Sequence, residues 1–173
     1  MTELIKKPPK VLPLKFLFSH PAHFIAGGFG SGYSPWAPGT TGTAFGWVSY
    51  LALAQYLSKP LEMGLFLLLS FAIGTWACQK TGDDLGVVDH GSIVIDEIVP
   101  FWLVLWATQL LTNNSWMWQL AAFLLFRVFD VLKPQPAKYF DTQVKNGFGV
   151  MCDDLMAALY SVAAVFFLTR LLH

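Results

Sequence analysis

Charge is what this sequence has least of. Asp, Glu, Lys and Arg make up 13% of its 173 residues, where a soluble domain carries about 25%. The formal net charge is zero, so no basic or acidic excess points to nucleic acid or another polyion as partner. Cysteine is nearly absent: Cys78 and Cys152 stand alone in apolar stretches, with no CxxC and no His at ligand spacing. Both read as small core hydrophobes, not as a disulfide or a zinc site. Neither is followed by Arg six positions on, so a Cys-x5-Arg thiolate mechanism is excluded. There is no DxDxT segment, no Walker lysine and no Rossmann glycine fingerprint. Only four histidines exist, one of them the terminal His173, which leaves little material for a Ser/His/Asp triad. No internal repeat and no composition break appears, so residues 1–173 are expected to form a single domain. Met1 to Lys15 is basic but lacks a signal-peptide core, so export is not expected.

What is abundant is apolar sequence, 55% of the chain. Five stretches are delimited by their breakers: Thr43 to Leu57, Leu61 to Cys78, Ile93 to Leu111, Trp116 to Leu132 and Met151 to Leu172. A spanning helix needs about 20 apolar residues. The last four stretches qualify and the first is short. The expected class is all-α, a polytopic membrane bundle of four to five apolar helices; a soluble bundle buried all round is the alternative. Trp47, Trp76, Trp102, Trp116 and Trp118 fall near segment ends, as an interfacial belt would place them. With the amino terminus inside, Lys6, Lys7, Lys10, Lys15, Lys80, Lys133, Lys138 and Lys145 are cytoplasmic, while Lys59 and Arg170 are outside. That is a positive-inside pattern. Residues 1–19 are then a basic segment, either lying on anionic lipid or flexible.

Nine of the eleven acidic residues lie between Asp83 and Asp154, and the same topology gathers all nine at the cytoplasmic helix ends. A carboxylate at the edge of an apolar run needs a cation, hydrogen bonds or water to stay charged. Four constellations contain the chemistry. The loop from Gly27 to Thr43, with Gly30, Ser31, Gly32 and Thr40, suits either a phosphate cradle formed by backbone N–H groups or a surface turn before a helix. The segment Thr81 to Glu97 carries Asp83, Asp84, Asp89, His90, Asp96 and Glu97. Hard oxygen donors of this kind hold Mg²⁺ while leaving room for a phosphate; solvated loop acids and helix-start acids are the alternative. Arg127, Asp130 and Lys133 recur every three residues and share a helix face, either to grip phosphate oxygens or as a structural ion pair. Asp153 and Asp154 open the last helix behind a glycine-bearing loop.

At these residues the chain resembles the phosphatidylglycerophosphatase A family of bacterial membrane enzymes. The resemblance runs from about His20 to the last helix. It is carried by Gly28 to Gly32, Ser34-Pro35, Pro38-Gly39-Thr40 and Gly42; by Asp84, Gly86, Asp89 to Ile93 and Asp96-Glu97; by Phe126-Arg127, Asp130, Lys133-Pro134, Pro136 and Asp141; and by Gly147, Gly149 and Asp153-Asp154. Pro100 departs from it, standing where the family commonly has glycine, and so does Asp83. The resemblance implies Mg²⁺-dependent hydrolysis of phosphatidylglycerophosphate to phosphatidylglycerol, the precursor of cardiolipin, at the cytoplasmic side of the bacterial inner membrane. On that reading Asp84, Asp89, Asp96, Glu97, Asp130, Asp153 and Asp154 are the expected metal ligands. Asp96, Glu97, Asp153, Asp154 and Arg127 are the expected catalytic set, with Asp96 or Glu97 as general base. Gly30, Ser31, Gly32, Thr40, His90, Arg127 and Lys133 are expected to bind substrate. Two competitors are a CDP-alcohol phosphotransferase, whose DGxxAR signature is missing, and a cation-coupled transporter, which would place acids on both membrane sides.

Overall fold

Proline and glycine set the helix boundaries in the computed structural model, which describes residues 8–9 and 12–172. Pro38 and Pro60 stand at the starts of α3 (Pro38–Tyr56) and α4 (Pro60–Leu85), where a missing N–H is no loss. Gly86 ends α4 in the left-handed region, φ 67°. Ahead of these lie two short helices, α1 (Leu14–Leu17) and α2 (Pro21–Ala26), and a 3₁₀ segment, Gly28–Tyr33. After α4 come α5 (Ile95–Thr112), α6 (Trp116–Leu132), α7 (Ala137–Gln143) and α8 (Gly147–Leu172). All regular structure among the described residues is helical, as the all-α expectation requires. Lys6, Lys7 and Lys10 of the basic segment lie outside the described residues.

Helix α5 is the centre of the bundle, packed against α3, α4, α6 and α8. Phe101, Val104 and Leu105 are fully buried in it. Its neighbours turn apolar side chains outward instead: Leu65 and Leu68 on α4 are 57% and 70% exposed, and Phe167 on α8 is 64% exposed. Helices that bury one face on protein and present Leu and Phe on the other fit a hydrocarbon surround. Among the described residues three helices, α4, α5 and α8, are long and apolar enough to cross a membrane. This is fewer than the four to five expected. At 17 residues, α6 is short and carries Arg127 and Asp130, while α3 is diluted by glycine, threonine and serine. The tryptophan belt is also only partly seen. Trp76 and Trp116 are exposed, but Trp102 is buried and donates to the Gly46 carbonyl at 3.0 Å, and Trp47 donates to Gln119 at 2.7 Å. These two tie α3 to α5 and α6.

Candidate active site

Four helix ends meet on one side of the bundle. The starts of α3, α5 and α8 and the end of α6 enclose a cleft of about 310 Å³, joined by the turn that carries Asp89, Gly91 and Ile93. Six carboxylates line it, those of Asp89, Asp96, Glu97, Asp130, Asp153 and Asp154, against two cations, Arg127 and Lys133. Both cations are already engaged. Arg127 Nη1 lies 2.7 Å from Glu97 Oε2, 2.9 Å from Asp130 Oδ2 and 3.1 Å from Thr43 Oγ1. Lys133 Nζ lies 2.8 Å from Asp141 and 2.5 Å from Asp153. Burial works against the charge on Lys133, but Asp153 and Asp141 outweigh it and push its pKa up. It is a fixed cation at neutral pH.

Counting partners then separates the acids. Glu97 is clamped by Arg127 and by Thr43, 2.9 Å away, and Asp153 by Lys133 and the Asp154 amide at 2.9 Å. Asp96 and Asp154 are buried, at 6% and 3% exposure. Each keeps one carboxylate oxygen, Oδ1, with no hydrogen-bond partner among the described residues. An orphaned buried carboxylate oxygen is costly, because desolvation is not repaid. Asp130 and Asp154 line the same cleft, and carboxylates crowded together need a proton or a cation to offset their repulsion. No three His, Cys, Asp or Glu side chains are gathered at metal-ligating distance among the described residues. Mg²⁺ does not require such a cage: it commonly takes one or two carboxylates, waters and a substrate phosphate. The donor set, all oxygen with two orphaned atoms, fits that ion.

Among the predicted substrate groups, Thr40 lines the cleft on the first turn of α3, beside Pro38 and Gly39. First-turn N–H groups have no intrahelical acceptor, and a helix start of this kind favours an anion. Gly39 also lets Glu97 in: a Cβ on Gly39 would lie 2.1 Å from Glu97 Oε1.

Several predicted residues are elsewhere. Gly30, Ser31 and Gly32 do not form the expected phosphate cradle. The amides of Gly30 and Gly32 both donate to the Gly27 carbonyl, at 3.0 and 3.1 Å, and Ser31 Oγ donates to the Gly28 carbonyl at 2.8 Å. Gly32 serves packing, since a Cβ there would lie 2.3 Å from the Ser92 carbonyl oxygen. His90 is buried and turned away from the cleft, accepting from the Ser92 amide at 3.2 Å while its Nε2 meets the Pro9 carbonyl at 3.0 Å. Asp84 does not join the acid cluster. Its carboxylate is bound by Lys80 at 2.5 Å and by His23 Nε2 at 2.9 Å, which fastens α2 to α4. Sequence reasoning gave no role to Asp141 on Lys133, to His23 on Asp84, or to Thr43 beside Glu97 and Arg127. Only the spacing of Thr43, one turn after Gly39, hinted at a side chain facing the same cleft.

A family profile described as Phosphatidylglycerophosphatase A matches residues 24–169. A Haemophilus influenzae protein named Phosphatidylglycerophosphatase A is 48% identical over 155 residues, covering 89% of this chain and 93% of that protein. An Escherichia coli protein of the same name is 41% identical over 150 residues, covering 87% and 84%. A Bacteroides thetaiotaomicron protein, named as a candidate phosphatidylinositol-3-phosphatase, is 40% identical over 144 residues, covering 79% and 86%. No solved structure matches the chain.

Proposed function

Because this chain belongs to the phosphatidylglycerophosphatase A family, we propose that it hydrolyses the terminal phosphomonoester of phosphatidylglycerophosphate, releasing phosphatidylglycerol and inorganic phosphate, with Mg²⁺ as cofactor. The observation that supports this most is the mismatch of charge in the cleft, six carboxylates to two engaged cations beside a helix start suited to phosphate. A phosphate dianion would be repelled from that cleft unless a divalent cation came with it. Asp96 and Asp154, each with an unpartnered buried oxygen, are the residues that would hold the cation, with Asp89 and Asp130 lining the same cleft. The chemistry gained from a cation held there would be Lewis-acid neutralisation of the phosphoryl oxygens.

The remaining work falls to the protein. The first-turn amides of α3 orient the phosphoryl oxygens, and Arg127, held in place by Glu97, Asp130 and Thr43, presents its other guanidinium edge to them. Asp96 accepts the proton of the attacking water as the new O–P bond forms; the bond to the glycerol oxygen breaks, and that oxygen takes a proton from solvent and leaves as the alcohol. Glu97, clamped on two sides, is better placed to position Arg127 than to take a proton, which supports Asp96 as the base. The lysine distribution supports a cytoplasmic-facing cleft in the bacterial inner membrane. The test is phosphate release by purified protein from phosphatidylglycerophosphate, phosphatidylinositol 3-phosphate, phosphatidic acid and a soluble phosphomonoester, with Mg²⁺ or with chelator. Phosphatidylglycerophosphate as the preferred substrate, with release abolished by chelator, is expected. Metal-independent release, or none from any substrate, overturns the proposal. Preference for phosphatidylinositol 3-phosphate, in line with the name of the Bacteroides relative, would replace the substrate and keep the chemistry.

A further inference from the structure

A second compartment, of about 450 Å³, adjoins the cleft and shares Asp89 and Asp153 with it as a common wall. Its character differs. Val88, Phe140 and Val144 supply an apolar side, and Lys145 supplies a cation; Asp89, Asp141 and Asp153 line it too, the last two bonded to Lys133. Lys145 has no carboxylate partner among the described residues: its Nζ donates to the backbone carbonyl oxygen of Asp141, while the Asp141 carboxylate is held by Lys133. The lysine is therefore oriented without being neutralised. Lys133 and Arg127, by contrast, are both bonded to acids.

The chemistry of the substrate proposed above has two phosphates separated by the three carbons of a glycerol. A monoester placed at Asp96 and Asp154 leaves the diester, still bearing a negative charge, just outside the cleft. With Asp141 and Asp153 bonded to Lys133 and Asp89 beside the proposed divalent cation, Lys145 is the charge left for an anion, and its place next to an apolar side matches a diester attached to carbon on both sides. We propose that this compartment is a phosphodiester subsite and that Lys145 is the residue that selects lipids carrying a diester between the diacylglycerol and the terminal phosphate. The inference rests on the hydrolase reading but is tested separately from it.

The experiment compares the intact protein with Lys145→Ala and Lys145→Arg in mixed micelles, on phosphatidylglycerophosphate and on phosphatidic acid, which has a monoester and no diester. Lys145→Ala is expected to raise KM for phosphatidylglycerophosphate about three- to tenfold with kcat held, as befits one exposed charge-assisted contact. Activity on phosphatidic acid should be unchanged and Lys145→Arg should restore KM. Inhibition by phosphatidylglycerol, which keeps the diester and lacks the monoester, should weaken by the same factor in Lys145→Ala; this arm serves if phosphatidic acid is not turned over. Equal loss on both lipids, loss in kcat alone, or no change in KM and inhibition overturns the subsite while leaving the hydrolase reading intact. A wild-type protein inactive on every lipid overturns both.

Discussion

Asp84 and Asp96 stand twelve residues apart with identical side chains, and the fold treats them in opposite ways. Asp84 sits at the end of α4 with Lys80 and His23 bound to its oxygens. Asp96 sits in the first turn of α5, buried, with one oxygen left without a partner. The corner around Asp84 is complete as it stands. The cleft around Asp96 is not: it concentrates carboxylates and leaves them short of partners, which is costly unless a ligand or a proton supplies what is missing. Both residues belong to one acidic segment of the sequence, so acidity alone did not distinguish them. Partner counting did.

The largest effect expected on that contrast comes from Asp96→Asn or Asp154→Asn. Either should lower phosphate release about 100-fold or more, and neither should destabilise the fold, because each removes an uncompensated buried charge. A thermal unfolding scan beside the activity assay checks both halves. Asp84→Asn should do neither: it weakens the exposed pair with Lys80 while an amide can keep a hydrogen bond to buried His23, at a cost of about 1 kcal/mol, and leaves the Mg²⁺ concentration for half-maximal activity unchanged. If that concentration rose severalfold, Asp84 would belong to the metal site and the contrast would fail.

Next in size is Arg127→Ala, which strands Glu97 and Asp130. Loss of about 3 kcal/mol in stability is expected, together with most of the activity, measured by denaturant unfolding and phosphate release. Two glycines sharpen the same division between packing and chemistry. Gly32→Ala drives a Cβ into the Ser92 carbonyl oxygen, 2.3 Å away, and should cost about 1–3 kcal/mol by displacing the loop. Gly91→Ala, although Gly91 lines the cleft, places its Cβ where nothing lies within 4 Å. It should change the unfolding midpoint least of all. Were Gly32→Ala neutral in stability but severe in KM, the glycine loop would be a phosphate cradle after all.

Much of the fold was legible because its signals are local. The apolar runs and their proline and glycine boundaries gave the five long helices, and the three-residue spacing of Arg127, Asp130 and Lys133 put them on one face, where two of them do pair. The convergence of Asp96, Glu97, Asp153 and Asp154 followed from topology. What was not legible depends on partners far away in sequence. The contact of Asp84 with His23 spans 61 positions, and nothing in either segment announces it. The glycine loop misled for a related reason: glycine permits close approach, but the sequence does not say whether the approaching group is a phosphate or, as at Gly32, another stretch of backbone.

The central claim is that Asp96 and Asp154 leave a place for a divalent cation in an otherwise completed fold. Its most direct test is the thermal unfolding midpoint of detergent-solubilised protein as Mg²⁺ is titrated, with no substrate present, in the wild type and in the Asp96→Asn/Asp154→Asn double variant. A ligand bound only by the folded state raises the midpoint with its concentration. The wild-type midpoint should climb with Mg²⁺ and the double variant's should stay flat; an equal climb in both would place the cation elsewhere and contradict the account.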